Sequence, residues 1–174
     1  MTTMKLDVVG QAGPWYADGL KFTCTQCGNC CTGGPGFVWM SRAEVERLAE
    51  FLGQSPEYVV KRYCRRIGDR LSLKETHTPQ GLYDCVFLKQ EPGRATPENP
   101  NPPPRRICTI YPVRPLQCRT WPFWPENLAS PENWARASRR CPGMGEGDRH
   151  FSLEKIESLR TAEDWPADPP SSKG

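Results

Sequence analysis

Four cysteines lie within eight residues, in the spacing C-x2-C-x2-C-C at positions 24, 27, 30 and 31. Two thiolates separated by two residues can bind one metal ion, because a tight turn brings their sulfurs to a shared centre. Gly28 supplies the permissive backbone that such a turn needs. The neighbouring side chains of Cys30 and Cys31 diverge in extended backbone, so this pair is expected to serve two centres more readily than one.

Five further cysteines follow, at positions 64, 85, 108, 118 and 141. Cys64 stands alone in a predicted helix, which indicates a buried thiol that acts as a small hydrophobe. The other eight are the right number for two tetrahedral four-thiolate sites, although a dinuclear or cluster arrangement also uses eight. The predicted ligands are Cys24, Cys27, Cys30, Cys31, Cys85, Cys108, Cys118 and Cys141. Four-thiolate sites suit zinc and iron–sulfur clusters alike, so the expected cofactor is zinc or iron.

The N-terminal segment and the charge balance restrict the setting of this chemistry. The first twenty residues contain no continuous apolar stretch and no small-residue cleavage site, so a cytoplasmic location is expected, where thiols stay reduced. Disulfides in a secreted fold are the alternative. No run of 18 apolar residues occurs, so no membrane partner is expected. The formal net charge of +3 is too balanced to indicate a nucleic-acid partner, and no protein partner is indicated.

Composition explains why a metal is expected to matter for folding. Leu, Ile, Val and Phe account for 30 of the 174 residues, about 17% of the chain. A chain this poor in aliphatic residues needs disulfides or metals to complete its stabilisation. Eight thiolates and two divalent ions would change the formal charge from +3 to about −1. Four arginines lie in the segment that holds Cys108 and Cys118 and would favour the thiolates: Arg105, Arg106, Arg114 and Arg119. A solvated basic face is the alternative, above all for Arg105 and Arg106 beside the loop.

Cap signals predict several helices. Ser41 and Glu44 form a capping box for a first helix that ends at Gly53. Ser55 caps a second helix that is expected to run to Ile67. Further short helices are expected from Pro115, over residues 133–140, and from the Ser152 cap to near Trp165.

Strand and loop signals complete the predicted organisation. Residues 70–76 and 82–88 are expected to pair as a two-stranded hairpin. Residues 89–106 are rich in proline and indicate a flexible loop inserted in the domain. The expected organisation is an N-terminal extension over residues 1–20 that lies on the domain surface, a cysteine-cluster metal-binding domain over residues 21–165, and a disordered tail over residues 166–174. The predicted fold class is irregular α+β, with short helices and a small β-hairpin around a cysteine-rich metal centre.

Several other side chains are candidates for roles beside the metal. Tyr111, Arg114 and Arg119 alternate with ligand cysteines, and we expect them to hydrogen-bond the thiolate sulfurs; binding of an anion is the alternative. His150 follows Cys141 by nine residues and is an alternative ligand, whereas His77 is expected on the surface at the hairpin turn. A hydrophobic lid over the metal is predicted from Trp121, Phe123 and Trp124.

At these residues the chain resembles the CxxCxxCC cysteine-cluster proteins of the YkgJ type, which are described as zinc- or iron-chelating domains. The resemblance rests on four motifs over residues 20–160: Phe22-x-Cys24-x2-Cys27-Gly28-x-Cys30-Cys31, Cys85-x-Phe87-Leu88, Cys108-x-Ile110-Tyr111-x2-Arg114-Pro115-x2-Cys118-Arg119-x-Trp121-Pro122-Phe123 and Cys141-Pro142-Gly143-x-Gly145. It implies metal chelation by the eight shared cysteines and leaves Cys64 outside the pattern. The stretch between Cys85 and Cys108 is longer than is usual in the family.

The leading functional hypothesis is therefore a metal-binding protein with two four-thiolate sites or one multinuclear centre. A similar domain occurs in flagellin lysine N-methylases, so an enzyme is an alternative: an iron–sulfur oxidoreductase or a methyltransferase-associated activity. A metal-delivery or protein-interaction module is the third hypothesis, and it predicts removable metal and an exposed ligand set.

Overall fold

Helices and very short strands alternate in the computed structural model, which describes residues 13–93, 95–102, 104–145 and 147–162. The helices are α1 (Arg42–Leu52), α2 (Pro56–Tyr63), α3 (Leu116–Thr120), α4 (Pro125–Leu128), α5 (Pro131–Ser138) and α6 (Leu153–Arg160). The strands are β1 (Leu20–Lys21), β2 (Thr32–Gly33), β3 (Trp39–Met40), β4 (Cys64–Ile67), β5 (Arg70–Leu73), β6 (Glu75–His77), β7 (Tyr83–Cys85), β8 (Leu88–Glu91), β9 (Arg105–Cys108) and β10 (His150–Phe151). These elements confirm the irregular α+β class. The predicted tail, residues 166–174, and residues 1–12 lie outside the described residues.

The strands pair antiparallel in four small sheets. Their orders are β1–β10, β2–β7–β6, β3–β5–β4 and β8–β9. Sheets of two or three short strands have little independent stability in water. The sheets must therefore be held by what packs between them. No helix in the described part of the chain is long and apolar enough to cross a membrane.

Helix α1 forms as its capping signals predict. The Ser41 hydroxyl accepts a hydrogen bond from the Glu44 amide at 3.2 Å, and the Glu44 carboxylate accepts one from the Ser41 amide at 2.9 Å. This reciprocal pair satisfies two amides at the helix N-terminus that have no partner within the helix. Gly53 then ends the helix at φ 62°, a left-handed conformation that glycine adopts without strain.

The predicted end of helix α2 is wrong. The helix ends at Tyr63, and residues 64–67 form strand β4, which pairs with β5 in a register that places Arg65 opposite Ser72. Gly68, at φ 57°, lies in the two-residue turn between them. Gly-Asp flanked by extended segments is a hairpin signal, and here it prevails over helix continuation. Cys64 is buried as predicted, with 5% exposure, but it begins a strand.

The predicted hairpin is only partly formed. Strands β6 and β7 pair between residues 75 and 85, whereas residues 70–73 belong to the β3–β5–β4 sheet. The Pro-rich stretch 89–106 also differs from a plain loop, because β8 and β9 pair at its two ends, with Leu88 opposite Cys108. This ribbon fixes the position of Cys108 relative to the end of β7.

Among the described residues, buried apolar side chains form two clusters. The first contains Tyr16, Phe22, Phe123, Leu128, Trp134, Cys141, Met144, Phe151 and Ile156. The second contains Met40, Val45, Leu48, Ala49, Val59, Cys64, Leu73, Phe87 and Ile110. Tyr16 therefore differs from the expected surface position: it is buried, and its hydroxyl donates to Glu157 at 2.7 Å. Cys24 packs on the first cluster, and Cys85 and Cys108 pack on the second, so cysteines lie where the two clusters meet.

Candidate metal centre

The C-x2-C-x2-C-C segment is an irregular loop that ends in a 3-10 turn over Asn29–Cys31. Gly28 precedes this turn at φ 73°, which confirms that the spacing needs a permissive residue there. A Cβ atom on Gly28 would lie 2.9 Å from Arg106 Cβ and 2.9 Å from Leu88 Cδ1. The β8–β9 ribbon therefore packs directly against the cysteine loop at Gly28.

Cys30 and Cys31 do not diverge as expected for extended backbone. They lie in the 3-10 turn, and their Sγ atoms are 3.8 Å apart. Zinc–sulfur bonds of about 2.3 Å in a tetrahedron separate two sulfurs by about 3.8 Å. The adjacent pair is thus spaced so that both thiolates can bind one ion.

The eight predicted ligands line a single cavity of about 50 Å³. They arrive from five places in the fold, namely the cysteine loop, the ends of β7 and β9, helix α3 and the turn after α5. Cys64, the ninth cysteine, does not line the cavity. The cysteines that line it are Cys24, Cys27, Cys30, Cys31, Cys85, Cys108, Cys118 and Cys141.

Among the described residues, the polar donors that line this cavity are dominated by sulfur, and no His, Asp or Glu lines it. His77 packs edge-on against Tyr83, and the His150 ring nitrogen lies 2.9 Å from the Asp18 carbonyl oxygen. Neither histidine therefore contributes to the donor set. In the described part of the chain, no group of three or more Cys, His, Asp or Glu side chains lies close enough together to hold a metal ion as placed. The donor chemistry fits zinc, iron or an iron–sulfur cluster, all of which take thiolate ligands.

Burial and mutual hydrogen bonding shift the pKa values of the cavity thiols in opposite directions. Burial raises the pKa of Cys85 to about 11 and raises the pKa values of Cys118 and Cys141. The pKa of Cys31 is raised because its thiol hydrogen-bonds Cys108 and Cys30. Those hydrogen bonds, aided by the Arg114 charge, lower the pKa of Cys30 and of Cys108 to about 7. The hydrogen bonds among these three thiols therefore move the pKa of Cys31 up and the pKa values of Cys30 and Cys108 down.

Tyr111 and Arg114, two of the three residues expected beside the ligands, line the cavity. The Arg114 guanidinium carbon lies 3.5 Å from the centre of the Tyr111 ring, and Arg114 Nε donates to the Tyr111 carbonyl at 2.9 Å. The pKa of Tyr111 is raised by burial and by a hydrogen bond to Cys24. Arg119 is not brought to the cavity: its guanidinium is 4.0 Å from the Glu44 carboxylate.

Of the three aromatic residues that were expected to cover the metal, Trp121 lines the cavity. Its Nε1 atom is buried and has no hydrogen-bond partner among the described residues. The N–H is nevertheless close enough to Cys141 to lower the pKa of that thiol, although burial, the larger effect, raises it. Phe123 belongs to the first apolar cluster. Trp124 donates from Nε1 to the Gln117 carbonyl at 2.9 Å and lies outside the cavity.

Glu44 positions part of the site from outside the cavity, a role that the sequence pattern did not identify beyond capping. Its side chain is buried, and Oε1 accepts a hydrogen bond at 2.5 Å from the amide of Leu116, the first residue of helix α3. Cys118 lies two residues further along that helix. Glu44 therefore fixes the start of the helix that carries a cavity cysteine. A capping box gives no sequence signal that its glutamate also caps a second, distant helix.

Sequence similarity to known proteins covers the segment that carries the cavity cysteines. Residues 23–142 match the family model CxxCxxCC, which is described as a "putative zinc- or iron-chelating domain". An uncharacterized protein of Methanocaldococcus jannaschii is 28% identical to the chain over 109 residues, which is 62% of this chain and 48% of that protein. The matched part of the chain thus spans about half the length of this curated relative. No solved structure matches the chain.

Proposed function

The chain belongs to the CxxCxxCC family of zinc- or iron-chelating domains, and on this premise we propose that it holds two metal ions through the eight thiolates of one shared cavity. The observation that carries the proposal is the convergence of these cysteines, from five places in the fold, while the ninth stays in an apolar cluster. Metal binding itself follows from membership of the family. The ligand set and the number of ions are our proposal.

Cys30 is the cysteine whose charge would act on the ligands of both proposed metal ions. Its charge acts on Cys85, Cys118 and Cys141, which come from three different places in the fold. Cys27 acts in turn on Cys141. One ion would be bound near Cys27 and Cys141, and the second near Cys85 and Cys118. Adjacent thiolate sites that share one cavity are a feature of dinuclear centres as well as of paired zinc sites.

The size of the cavity favours a metal-holding role over conversion of an organic substrate inside it. Sites for small organic molecules enclose roughly 300–1,000 Å³, whereas this cavity measures about 50 Å³. An organic substrate would have to bind outside the cysteine cavity. A role in metal delivery is the second candidate, and the solvent exposure of Cys30 favours it. An iron–sulfur oxidoreductase and a methyltransferase-associated enzyme remain as alternatives that the spectrum described below distinguishes.

The decisive experiment is elemental analysis combined with an absorption spectrum of protein prepared without oxygen. We expect about two metal ions per chain. A colourless protein with zinc would assign the paired zinc sites, and visible absorption with iron and sulfide would assign a cluster. A chain that contains neither metal, with its cysteines paired as disulfides, would contradict the proposal.

A matched pair of cysteine variants tests the ligand set. Cys27→Ser should lose metal, because Cys27 lines the cavity. Cys64→Ser should keep its metal, because Cys64 is buried in the second apolar cluster. Both variants replace sulfur with oxygen at nearly the same volume, so equal metal loss in the two would refute the assignment. Circular dichroism of each variant separates metal loss from unfolding.

A further inference from the structure

Cys30 differs from the other cavity cysteines in its access to solvent. It is exposed, whereas the remaining seven are buried or half-buried. Its sulfur nevertheless stays with the cluster, 3.8 Å from that of Cys31. Cys30 is therefore the one exposed thiol among the cysteines that line the cavity.

A surface groove of about 390 Å³ begins at this residue. Three residues line both the groove and the cysteine cavity, namely Asn29, Cys30 and Trp121. We refer to this surface as the Cys30 groove, and Arg136 and Arg140 also line it. The shared residues mean that a ligand in the groove lies against the wall of the cavity.

The charge of the Cys30 groove favours an anion. Arg140 is held in place by a hydrogen bond of 2.8 Å from Nη2 to the Thr32 carbonyl. Arg136 is exposed on the last turn of helix α5, and no described carboxylate forms a salt bridge with it. One carboxylate, that of Glu126, also lines the groove, so two cations face one anion.

A second groove, of about 610 Å³, is lined by two other cavity cysteines, Cys24 and Cys27, and by Arg105 and Arg106. There the cations are already engaged. Arg105 lies 3.7 Å from the Glu91 carboxylate, and Arg106 hydrogen-bonds the Asn29 side chain. The Cys30 groove is therefore the side on which an arginine remains available for an incoming ligand.

We propose that metal enters and leaves the cavity through the Cys30 groove, by ligand exchange with a small anionic chelate whose carboxylate is held by Arg136 and Arg140. This inference rests on the proposed metal-binding function. In the exchange, a donor atom of the chelate forms a bond to the metal as the Cys30 sulfur–metal bond breaks. When the donor is a thiol, its proton passes to the released Cys30 thiolate, so charge is conserved and no redox step occurs.

The test compares removal of zinc from the zinc-loaded full chain by EDTA, which is anionic at neutral pH, and by TPEN, which is uncharged. The variant is Arg136→Glu. Arg139→Glu is the matched control, because Arg139 is an exposed arginine at the same end of α5 that does not line the groove. At low ionic strength we expect Arg136→Glu to slow removal by EDTA about tenfold. Removal by TPEN should change less than about twofold in either variant, and the EDTA effect should vanish at about 0.5 M salt.

Alkylation of the reduced, metal-free chain, at a temperature where circular dichroism shows it folded, gives a second readout that does not depend on metal loading. Peptide mapping should find Cys30 modified first by both iodoacetate, an anion, and iodoacetamide, which is neutral. Arg136→Glu should slow modification of Cys30 by iodoacetate about threefold or more and leave the iodoacetamide rate unchanged.

The proposed entry route would be overturned if Arg136→Glu and Arg139→Glu slowed zinc removal by EDTA equally. It would also be overturned if a cysteine other than Cys30 were modified first. A wild-type chain that takes up no zinc or iron would instead contradict the proposed function. The alkylation rates alone would then test whether the Cys30 groove admits anions to Cys30. The two failures are thus distinguishable.

Discussion

Substitution of Gly28 by alanine tests whether the β8–β9 ribbon holds the cysteine loop in place. Two costs can be worked out from the structure. A side chain at φ 73° costs about 1–2 kcal/mol of strain. A new Cβ 2.9 Å from Arg106 Cβ adds an overpacking cost of about 1–3 kcal/mol, because Arg106 Cβ cannot move away without moving strand β9. We expect Gly28→Ala to lower the free energy of unfolding by about 2–5 kcal/mol.

Gly53→Ala is the matched control for this prediction. Gly53 has a similar φ of 62°, but a Cβ there would have nothing within 4 Å. It should therefore lose about 1–2 kcal/mol from strain alone and keep its metal affinity. The assay is urea unfolding of metal-loaded protein, read as the midpoint and slope, with metal content measured in parallel. If Gly28→Ala proves no more destabilising than Gly53→Ala and binds metal equally, the ribbon does not position the loop.

Three further predictions concern the residues around the centre. Glu44→Ala should lower the free energy of unfolding by about 2–4 kcal/mol, because the Ser41 and Leu116 amides lose a buried acceptor; Glu46→Ala, which removes only an exposed ion pair, should stay within about 0.5 kcal/mol in the same urea assay. Burial raises the pKa of Cys64 to about 11, so the folded state favours its thiol; this stabilisation is complete below about pH 8.5 and is lost as the pH rises to about 11. Unfolding curves should show that Cys64→Ala loses up to about 3 kcal/mol less stability than the wild type over that range, and equal losses would contradict the burial argument. Removal of metal by a chelator under reducing conditions should lower stability by about 5 kcal/mol or more, measured as the shift in urea midpoint, and an unchanged midpoint would separate metal binding from folding.

The local elements were predictable because their signals act over a few residues. The capping box of Ser41 and Glu44 is satisfied within a single turn, so the start of helix α1 follows from two side chains. Ser130 and Ser152 cap α5 and α6 through one hydrogen bond each, accepted from the Asn133 and Lys155 amides. The end of α2 was not predictable on these grounds, since apolar periodicity continues past Tyr63. Pairing of β4 with β5 decided that boundary.

Strand partners were the least predictable part of the fold. Residues 70–73 have the alternation of a strand, but alternation does not specify a partner. These residues pair with Trp39–Met40 and with β4, instead of with residues 82–88. Similarly, the prolines between Glu91 and Arg105 indicate a loop, while the pairing of its two ends depends on cross-strand hydrogen bonds.

The sequence by itself determined which thiols are candidate ligands and which thiol stands apart, because ligand chemistry depends on residue type and on spacing within a turn. It identified the eight cysteines, and it identified Cys64 as a core residue. Only the tertiary structure decided that these eight face one cavity, that the Cys30 and Cys31 sulfurs lie 3.8 Å apart, and that Arg119 turns away toward Glu44. The physical reason is that five distant segments meet where two small apolar clusters adjoin, and contacts between distant segments are fixed by packing of the whole chain.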